Sequence, residues 1–283
     1  MYIRIILWHS VWRVPAAKIS RKMKKSLLFG SVLSGCLLLL SSTGVVLPSV
    51  NNSAFQAGEK LRYRVSYGFV DAGEAVLEVK TTTKKGSGNR ELIHVKGIGQ
   101  TLGGFNSVYK VNDVYESYLD KKGLFPWLFV RRVDEGGYKI AQDYAFKQDK
   151  LKVNNGKKDF TAPLAIQDMI SSFYYARTID FANAKPGQIY EFKCFMDDEI
   201  WPMKIKYVGK ETISIRKGKF RCMKFVPVVQ KGRVFKNEDD VNVWITDDGN
   251  HIPILVKANI AVGSIKLHLV EWSGLKHDIA QVK

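Results

Sequence analysis

The chain has 283 residues, with 44 lysines and arginines against 27 aspartates and glutamates, which gives a formal charge of +17. Hydrophobic residues make up 46% of the sequence and aromatic residues 12%, while only 8 residues are proline. This composition excludes a disordered protein, a collagen and a coiled coil, since each of these requires a stronger bias. The length allows one large domain or two ordinary ones.

The first 54 residues differ in character from the rest of the chain. They contain seven basic residues and no acidic residue, and an apolar run occupies residues 27–46. A basic segment followed by an apolar one predicts a secretory signal peptide, which has an alternative start at Met23. We therefore expect residues 1–54 to be an N-terminal extension with a signal peptide. The mature protein is predicted to begin between Gly44 and Phe55, and to be exported across the inner membrane into the periplasm.

Two other fates of this segment stay open. The apolar run is about 20 residues long, enough to span a bilayer as a retained anchor. The sequence Leu33-Ser34-Gly35-Cys36 fits a lipobox, in which Cys36 would be acylated and the protein would be a membrane-anchored lipoprotein. Four leucines follow that cysteine, where lipoproteins usually carry small polar residues. Cleavage after the apolar run is the main expectation, with only transient membrane contact through the signal segment.

Residues 55–283 carry a weaker and more dispersed charge. They contain 37 basic and 27 acidic residues, a formal charge of +10 without a dense basic cluster. Nucleic-acid binding requires a clustered basic surface on a recognisable module. We therefore expect no nucleic-acid partner.

From Phe55 onward the dominant sequence period is two. In the first such segment Leu61, Tyr63, Val65 and Tyr67 alternate with Arg62, Arg64 and Ser66. This alternation predicts strands with one buried face, and turn sequences separate roughly a dozen of them at close spacing. The sequence predicts a mainly β fold over residues 55–283, taken as one domain. It would be a single curved antiparallel sheet or a half-open, β-barrel-like structure.

One segment follows a helical period instead. Ile166, Met169, Ile170 and Phe173 are spaced as one face of a helix. We expect a helix over about 164–178, with this apolar stripe packed on the sheet.

The chain carries no recognisable catalytic motif. Residues 97–103 are rich in glycine but lack the spacing of a dinucleotide loop. Three carboxylates that a hydrolase could use have no partner in the sequence: Asp113, Asp168 and Glu199. The four histidines after residue 54 form no close ligand pair: His94, His251, His268 and His277. We therefore expect no catalytic residue, no metal and no cofactor, and an enzyme is the least favoured class.

Two cysteines remain after the signal peptide, Cys194 and Cys222. Their positions in the alternating pattern place them on opposite faces of their strands, which disfavours a disulfide between them.

Three blocks resemble an exported bacterial family known as domain of unknown function 3108. The first block runs from Phe55 to Ala75, with Gly58-Glu59 and Ala72-Gly73-Glu74. The second, Gln167 to Arg177, is similar to the central helix of the family, and the third covers residues 243–265. His251 stands where the family usually has an arginine before Ile-Pro. The resemblance implies a β-rich envelope protein of unassigned activity and supplies no catalytic residues.

Two functional hypotheses follow. In the first, the protein is a carrier that holds an apolar or lipid-like ligand between the sheet and the helix. In the second, it is a structural or assembly factor that binds another envelope protein. The alternation places many large aromatic residues on the inward faces of the strands: Tyr63, Tyr67, Tyr138, Tyr144, Phe146, Tyr190, Phe192 and Phe225. Buried tyrosines need hydroxyl partners, which favours a cavity. The predicted ligand-binding residues are Tyr63, Tyr67, Tyr144, Phe146 and Phe173, with Arg62, Arg64 or Arg177 at the rim to meet an anionic head group.

Overall fold

The computed structural model describes residues 45–228, 240–260 and 263–282. Fifteen strands and two helices lie within these ranges. The first eight strands are β1 Lys60–Tyr67, β2 Val70–Lys85, β3 Glu91–Thr101, β4 Asn112–Asp120, β5 Pro126–Glu135, β6 Tyr138–Lys147, β7 Lys152–Asn154 and β8 Asp159–Thr161. The others are β9 Ile189–Met196, β10 Glu199–Ile215, β11 Gly218–Pro227, β12 Val241–Thr246, β13 Pro253–Asn259, β14 Ser264–Ser273 and β15 Gln281–Val282. The helices are α1, Phe105–Val108, and α2, Met169–Ala176.

All these strands belong to one antiparallel sheet, built from two meanders. The strand order is β8-β7-β6-β5-β4-β3-β2-β1-β14-β13-β12-β11-β10-β9, and β15 pairs with β11. Each meander follows the chain from strand to neighbouring strand, and the two are joined where β1 pairs with β14. The prediction of a mainly β, curved antiparallel sheet with a packed helix is confirmed.

Side-chain hydrogen bonds join the first meander to the turn that follows the edge strand β9. The turn between β9 and β10 holds Asp197 and Asp198, both with positive φ. Asp197 accepts a hydrogen bond from Arg131 of β5 at 2.5 Å, and Asp198 accepts one from the hydroxyl of Tyr144 on β6 at 2.9 Å. Asn155 also donates to Asp198. The open sheet is thereby closed into a barrel-like shape.

Behind this closure lies a cluster of buried rings, which we call the aromatic cluster: Phe129, Tyr144, Phe146, Phe195 and Trp201. The Phe195 ring contacts that of Tyr144 edge to face, with centroids 5.1 Å apart. Phe146 approaches Phe195 in the same way at 6.3 Å. Interlocking rings of this kind fill the interior at the density of a protein core.

The connection between β8 and β9 carries α2, which is shorter than the sequence predicted. The expected helix over about 164–178 spans only Met169–Ala176. Leu164 and Ala165 form a turn instead, and Gln167 then pairs with β9, its amide donating to Lys193 O and its carbonyl accepting from Phe195 N at 2.7 Å. Asp168 then caps the helix by accepting from the backbone amides of Ile170 and Ser171. An N-cap carboxylate satisfies amides that have no partner within the helix.

The inner face of α2 packs closely on the strands of the first meander. Tyr174 is fully buried against Phe55, with ring centroids 4.7 Å apart. A Cβ added to Gly97 of β3 would lie 3.4 Å from Ile170 Cδ1 and 3.1 Å from Leu77 Cδ2. The glycine in the segment that superficially resembled a dinucleotide loop therefore allows the helix to approach the sheet.

Two of the aromatic residues with predicted inward parity face solvent. Tyr67 is 43% exposed and Tyr138 is 55% exposed, which corrects the expectation that both point inward. Each lies at the hairpin end of its strand, and a β-bulge between Val65 and Ser66 interrupts the register that simple parity assumes. Cys194 and Cys222 are both free and buried, in separate core clusters. The signal peptide and Cys36 lie outside the described residues.

Candidate functional site

A cavity of about 250 Å³ lies between α2 and the second meander. Eighteen residues line it, and fifteen of these are apolar. The helix and the segment after it contribute Met169, Ser172, Phe173, Ala176, Arg177 and Phe181. Strands β9 to β13 contribute Phe192, Met203, Ile205, Phe225, Pro227, Val241, Val243, Ile245, Pro253, Val256 and Ala258, and His251 precedes β13. An apolar recess with a few polar groups is typical of a small-molecule site.

The space exists because small side chains face each other across it. Strands β12 and β13 present valines and alanines such as Val243, Val256 and Ala258, and the helix presents Ser172 and Ala176. These side chains are too short to meet in the middle. Met169 and Met203 line the cavity and are also buried in the core that contains the aromatic cluster, so they form the wall between the two regions.

The end of α2 brings a charged group to the cavity, and that charge is already neutralised. Arg177 is 3% exposed and forms a bidentate ion pair with Glu59, each N···O distance being 2.7 Å. Its Nε donates to Asn250 O at 2.9 Å, and the rings of Phe55 and Tyr174 lie against the guanidinium. Burial alone lowers the pKa of Arg177, but the Glu59 carboxylate outweighs it and raises the pKa above its ordinary value.

Tyr63 lies near this ion pair and not in the cavity wall. It is 2% exposed, and its hydroxyl has no hydrogen-bond partner among the described residues. Burial raises the pKa of Tyr63 far above its usual range, so the phenol stays neutral. The Glu59–Arg177 pair is thus buried beside a neutral phenol.

His251 supplies the second polar group of the cavity wall. Its Nδ1 lies 2.7 Å from the backbone oxygen of Arg177, and its ring packs edge to face against Phe181 at 5.2 Å. Its φ of 47° is in the left-handed region, which is uncommon for a residue other than glycine. The third polar group, Ser172, donates its hydroxyl to Met169 O at 3.0 Å within the helix.

A comparison with known protein families shows to which family the chain belongs. The family model described as "Protein of unknown function (DUF3108)" matches residues 62–270, which is more than half of the chain. The chain belongs to this family. The resemblance inferred from the sequence is confirmed, and every wall of the cavity contributed by a β-strand falls within the matched range.

Solved structures extend the likeness to the fold of this DUF3108 chain. A β-barrel-like protein of domain of unknown function DUF1849 from Brucella abortus aligns with a TM-score of 0.50 at 11% identity. The alignment covers 80% of this chain and 100% of that chain. A Bacteroides fragilis protein with a YmcC-like fold aligns over 78% of this chain and 97% of its own, at 10% identity and a TM-score of 0.32, which carries no weight. No curated protein matches the sequence.

The structure separates the predicted ligand-binding residues into three groups. Phe173 and Arg177 line the cavity, as do Phe192 and Phe225 from the wider aromatic set. Tyr144 and Phe146 belong to the aromatic cluster, where rings occupy the available space.

The third group lies away from the cavity. Tyr67 is exposed, and Arg62 and Arg64 alternate with the inward-facing Tyr63 on β1. Arg62 is engaged by Glu74 and Glu271. Arg177 is buried and paired, so it does not stand at a rim with a free charge.

Most of the cavity wall was not anticipated from the sequence. The sequence pattern pointed to large rings, whereas Val243, Val256 and Ala258 also line the cavity. A useful signal was available: β12 and β13 place small apolar residues at their inward positions, opposite a helix face that also carries Ser172 and Ala176.

The remaining polar candidates have structural roles in the described part of the chain. Asp168 is fully buried at the N-terminus of α2, where burial raises its pKa to about 6 against the hydrogen bonds from Ser117 and Ser171. Asp113 accepts from the amide of Asp134, and Glu199 is exposed at the start of β10. The described residues contain no group of three side chains able to hold a metal ion. They also include no helix long and apolar enough to cross a membrane.

Proposed function

We propose that this DUF3108 protein is an exported binding protein that holds a small apolar ligand in the cavity between α2 and strands β9–β13. The observation that carries the proposal is the cavity itself. An empty apolar space of this size costs stability, because its lining atoms lose the contacts a filled core would give. A ligand restores those contacts.

The size of the cavity limits the ligand. An apolar cavity of about 150 Å³ stays dry and accommodates benzene. By that ratio a volume of about 250 Å³ holds roughly ten non-hydrogen atoms. The proposed occupant is therefore a short chain or a two-ring compound rather than a complete phospholipid. A longer molecule could place only one segment inside.

The charge of the wall also limits the ligand. Among the described residues that line the cavity only Arg177 is charged, and it is held by Glu59 and by Asn250 O. An anionic head group would have to compete with a bidentate carboxylate for a buried guanidinium. This argues for an uncharged ligand and replaces the earlier expectation of an anionic one. Export to the periplasm rests on the basic and apolar segments of residues 1–46 and is part of the same proposal.

Binding is tested with naphthalene, an uncharged ten-carbon probe, by saturation-transfer NMR on the full chain. Wild-type protein is expected to bind it saturably at one site. Ala176→Leu puts a larger side chain into the cavity and is expected to weaken binding at least tenfold. Ala141→Leu makes the same change at an exposed position of β6 and should leave binding unchanged. Non-saturable binding, or equal binding by both variants with an unchanged unfolding temperature, would contradict the proposal.

A second function, assembly through protein contacts, is favoured by one surface feature. The turn between β1 and β2 exposes three apolar residues together: Phe69 is 98% exposed, Val70 55% and Tyr67 43%. Adjacent exposed apolar residues often mark a protein contact. In-cell cross-linking should give a defined adduct that Phe69→Ser abolishes, whereas Val208→Ser, at an exposed position of β10, retains it. Identical cross-linking by the two variants would remove this alternative.

A further inference from the structure

We infer that His251 recognises the polar end of the ligand, and that this end is an uncharged hydrogen-bond donor such as a hydroxyl group. The inference rests on the proposed binding function and specifies its ligand class. The wall is mostly apolar, and the inference follows from which of its few hydrogen-bond donors and acceptors have no partner among the described residues.

The hydrogen bond of His251 determines which of its ring nitrogens carries the proton. Its Nδ1 lies 2.7 Å from the backbone oxygen of Arg177, and a carbonyl oxygen can only accept a hydrogen bond. Nδ1 must therefore carry the proton and donate it. In the neutral ring the other nitrogen, Nε2, then has a lone pair and acts as an acceptor.

The Nε2 of His251 has no hydrogen-bond partner among the described residues. His251 lines the cavity and is half-buried, and among the described residues its side chain hydrogen-bonds only through Nδ1, to Arg177 O. The bond from Nδ1 to Arg177 O and the packing of the ring on Phe181 fix the orientation of the imidazole. The acceptor is thus held in place before a ligand arrives, which lowers the entropic cost of binding.

The other polar groups of the wall offer the ligand few hydrogen-bond donors. Four of the five N–H groups of the Arg177 guanidinium donate to Glu59, Asn250 O and Ala54 O. The hydroxyl hydrogen of Ser172 is directed at Met169 O. A carboxylate or a bare carbonyl would find at most the one remaining Nη1 hydrogen of Arg177, and burying an under-paired polar group is costly. A ligand with its own O–H or N–H meets Nε2 and avoids that cost.

The test compares two isomers of equal size. 1-Octanol and heptyl methyl ether have the same atoms, nine of them other than hydrogen, but only the alcohol can donate a hydrogen bond. Both are used to displace naphthalene from the full chain at pH 8, where an ordinary imidazole is neutral. A net hydrogen bond of ordinary strength corresponds to about a three- to tenfold difference, so octanol is expected to displace the probe at that much lower concentration.

Substitution of His251 should remove this preference. His251→Phe keeps a ring but lacks Nε2, and the two isomers are then expected to compete equally while naphthalene still binds. Because a positive φ disfavours Phe, His251→Asn serves as a second variant, since Asn tolerates this backbone conformation. Phe192→Leu is the matched control. It changes the apolar wall and should shift both isomers alike, keeping their ratio.

Three results would overturn the inference while naphthalene binding, and hence the proposed function, stands. The isomers could compete equally with the wild-type protein. Octanoate could displace the probe better than octanol. The preference could also persist in both His251 variants and disappear in Ser172→Ala, which would assign the acceptor to Ser172. Failure of naphthalene to bind the wild-type protein would instead refute the proposed function itself.

Discussion

The aromatic cluster and the cavity lie on opposite sides of a wall formed by Met169 and Met203. Both regions are enclosed by the same sheet and both are lined by apolar side chains, yet one is filled and the other is empty. The aromatic cluster packs rings from β5, β6 and β9 against one another. Around the cavity, β12 and β13 face the helix with valines and an alanine. The difference lies in how the side chains meet: rings contact one another in the cluster, whereas the rings lining the cavity, such as Phe173 and Phe192, leave space beside the valines of β12 and β13.

The Glu59–Arg177 ion pair lies at the end of α2, beside the cavity. Breaking it is expected to cause the largest change in the free energy of unfolding. Glu59→Gln leaves the buried charge of Arg177 without its carboxylate, which should lower the free energy of unfolding by about 3–5 kcal/mol. The double variant Glu59→Leu with Arg177→Met removes both charges and should recover most of that loss. Urea unfolding measures both. A double variant as unstable as the single one would mean that the charge is not the cause.

Truncating one ring in each region tests the difference in packing. Phe195→Ala opens a new void within the aromatic cluster and is expected to cost about 3–5 kcal/mol. Phe192→Ala removes a half-buried ring that already borders empty space, so it should cost clearly less. Chemical unfolding of both variants gives the comparison. Equal losses would indicate that the cavity is as well packed as the cluster.

The helix that separates the regions has a pH-sensitive cap. Burial raises the pKa of Asp168 to about 6, from an ordinary value of 3.8. Between these values the folded state holds a proton that the unfolded state has released. The contribution of this group to the free energy of unfolding is therefore full below about pH 4 and is lost as the pH rises through 6.

Relative to Asp168→Asn, which does not titrate, the wild-type protein should lose up to about 3 kcal/mol of stability between pH 4 and pH 7. Urea unfolding of both proteins across this range measures the difference. A difference that grows in favour of wild type with rising pH would show that the hydrogen bonds from Ser117 and Ser171 dominate over burial.

Adding one methyl group in each region should give the smallest changes in the free energy of unfolding. The two changes should have opposite signs, which makes them the most discriminating test. Val153 is fully buried beside the aromatic cluster, so Val153→Ile should overpack it and cost about 1–3 kcal/mol. Val243 borders the cavity, so Val243→Ile adds a methyl group to empty space and should stabilise by up to about 1 kcal/mol. Thermal unfolding of the two variants suffices. Destabilisation by both would argue that the cavity is not available to side chains.

The sequence predicted the strands well because alternation of polar and apolar residues is a local property of a sheet with one buried face. It misjudged the start of the helix, since Gln167 is recruited by β9, a contact that no local pattern encodes. The pair of Glu59 and Arg177 spans 118 residues and could not be deduced either. The two-residue alternation correctly predicted that Phe225 points inward. It failed for Tyr67 and Tyr138, because the hairpin ends where they lie expose their side chains.

The junction between β1 and β14 has a consequence for the order of folding. Lys60 is the register partner of Ser273, so this ladder joins segments more than 200 residues apart. Each meander is a succession of local hairpins that can form as the chain emerges, but their union has to wait for the last long strand. Closing so long a loop is entropically costly and slow. Until β14 arrives, β1 pairs only with β2, and the two half-sheets have no ladder between them.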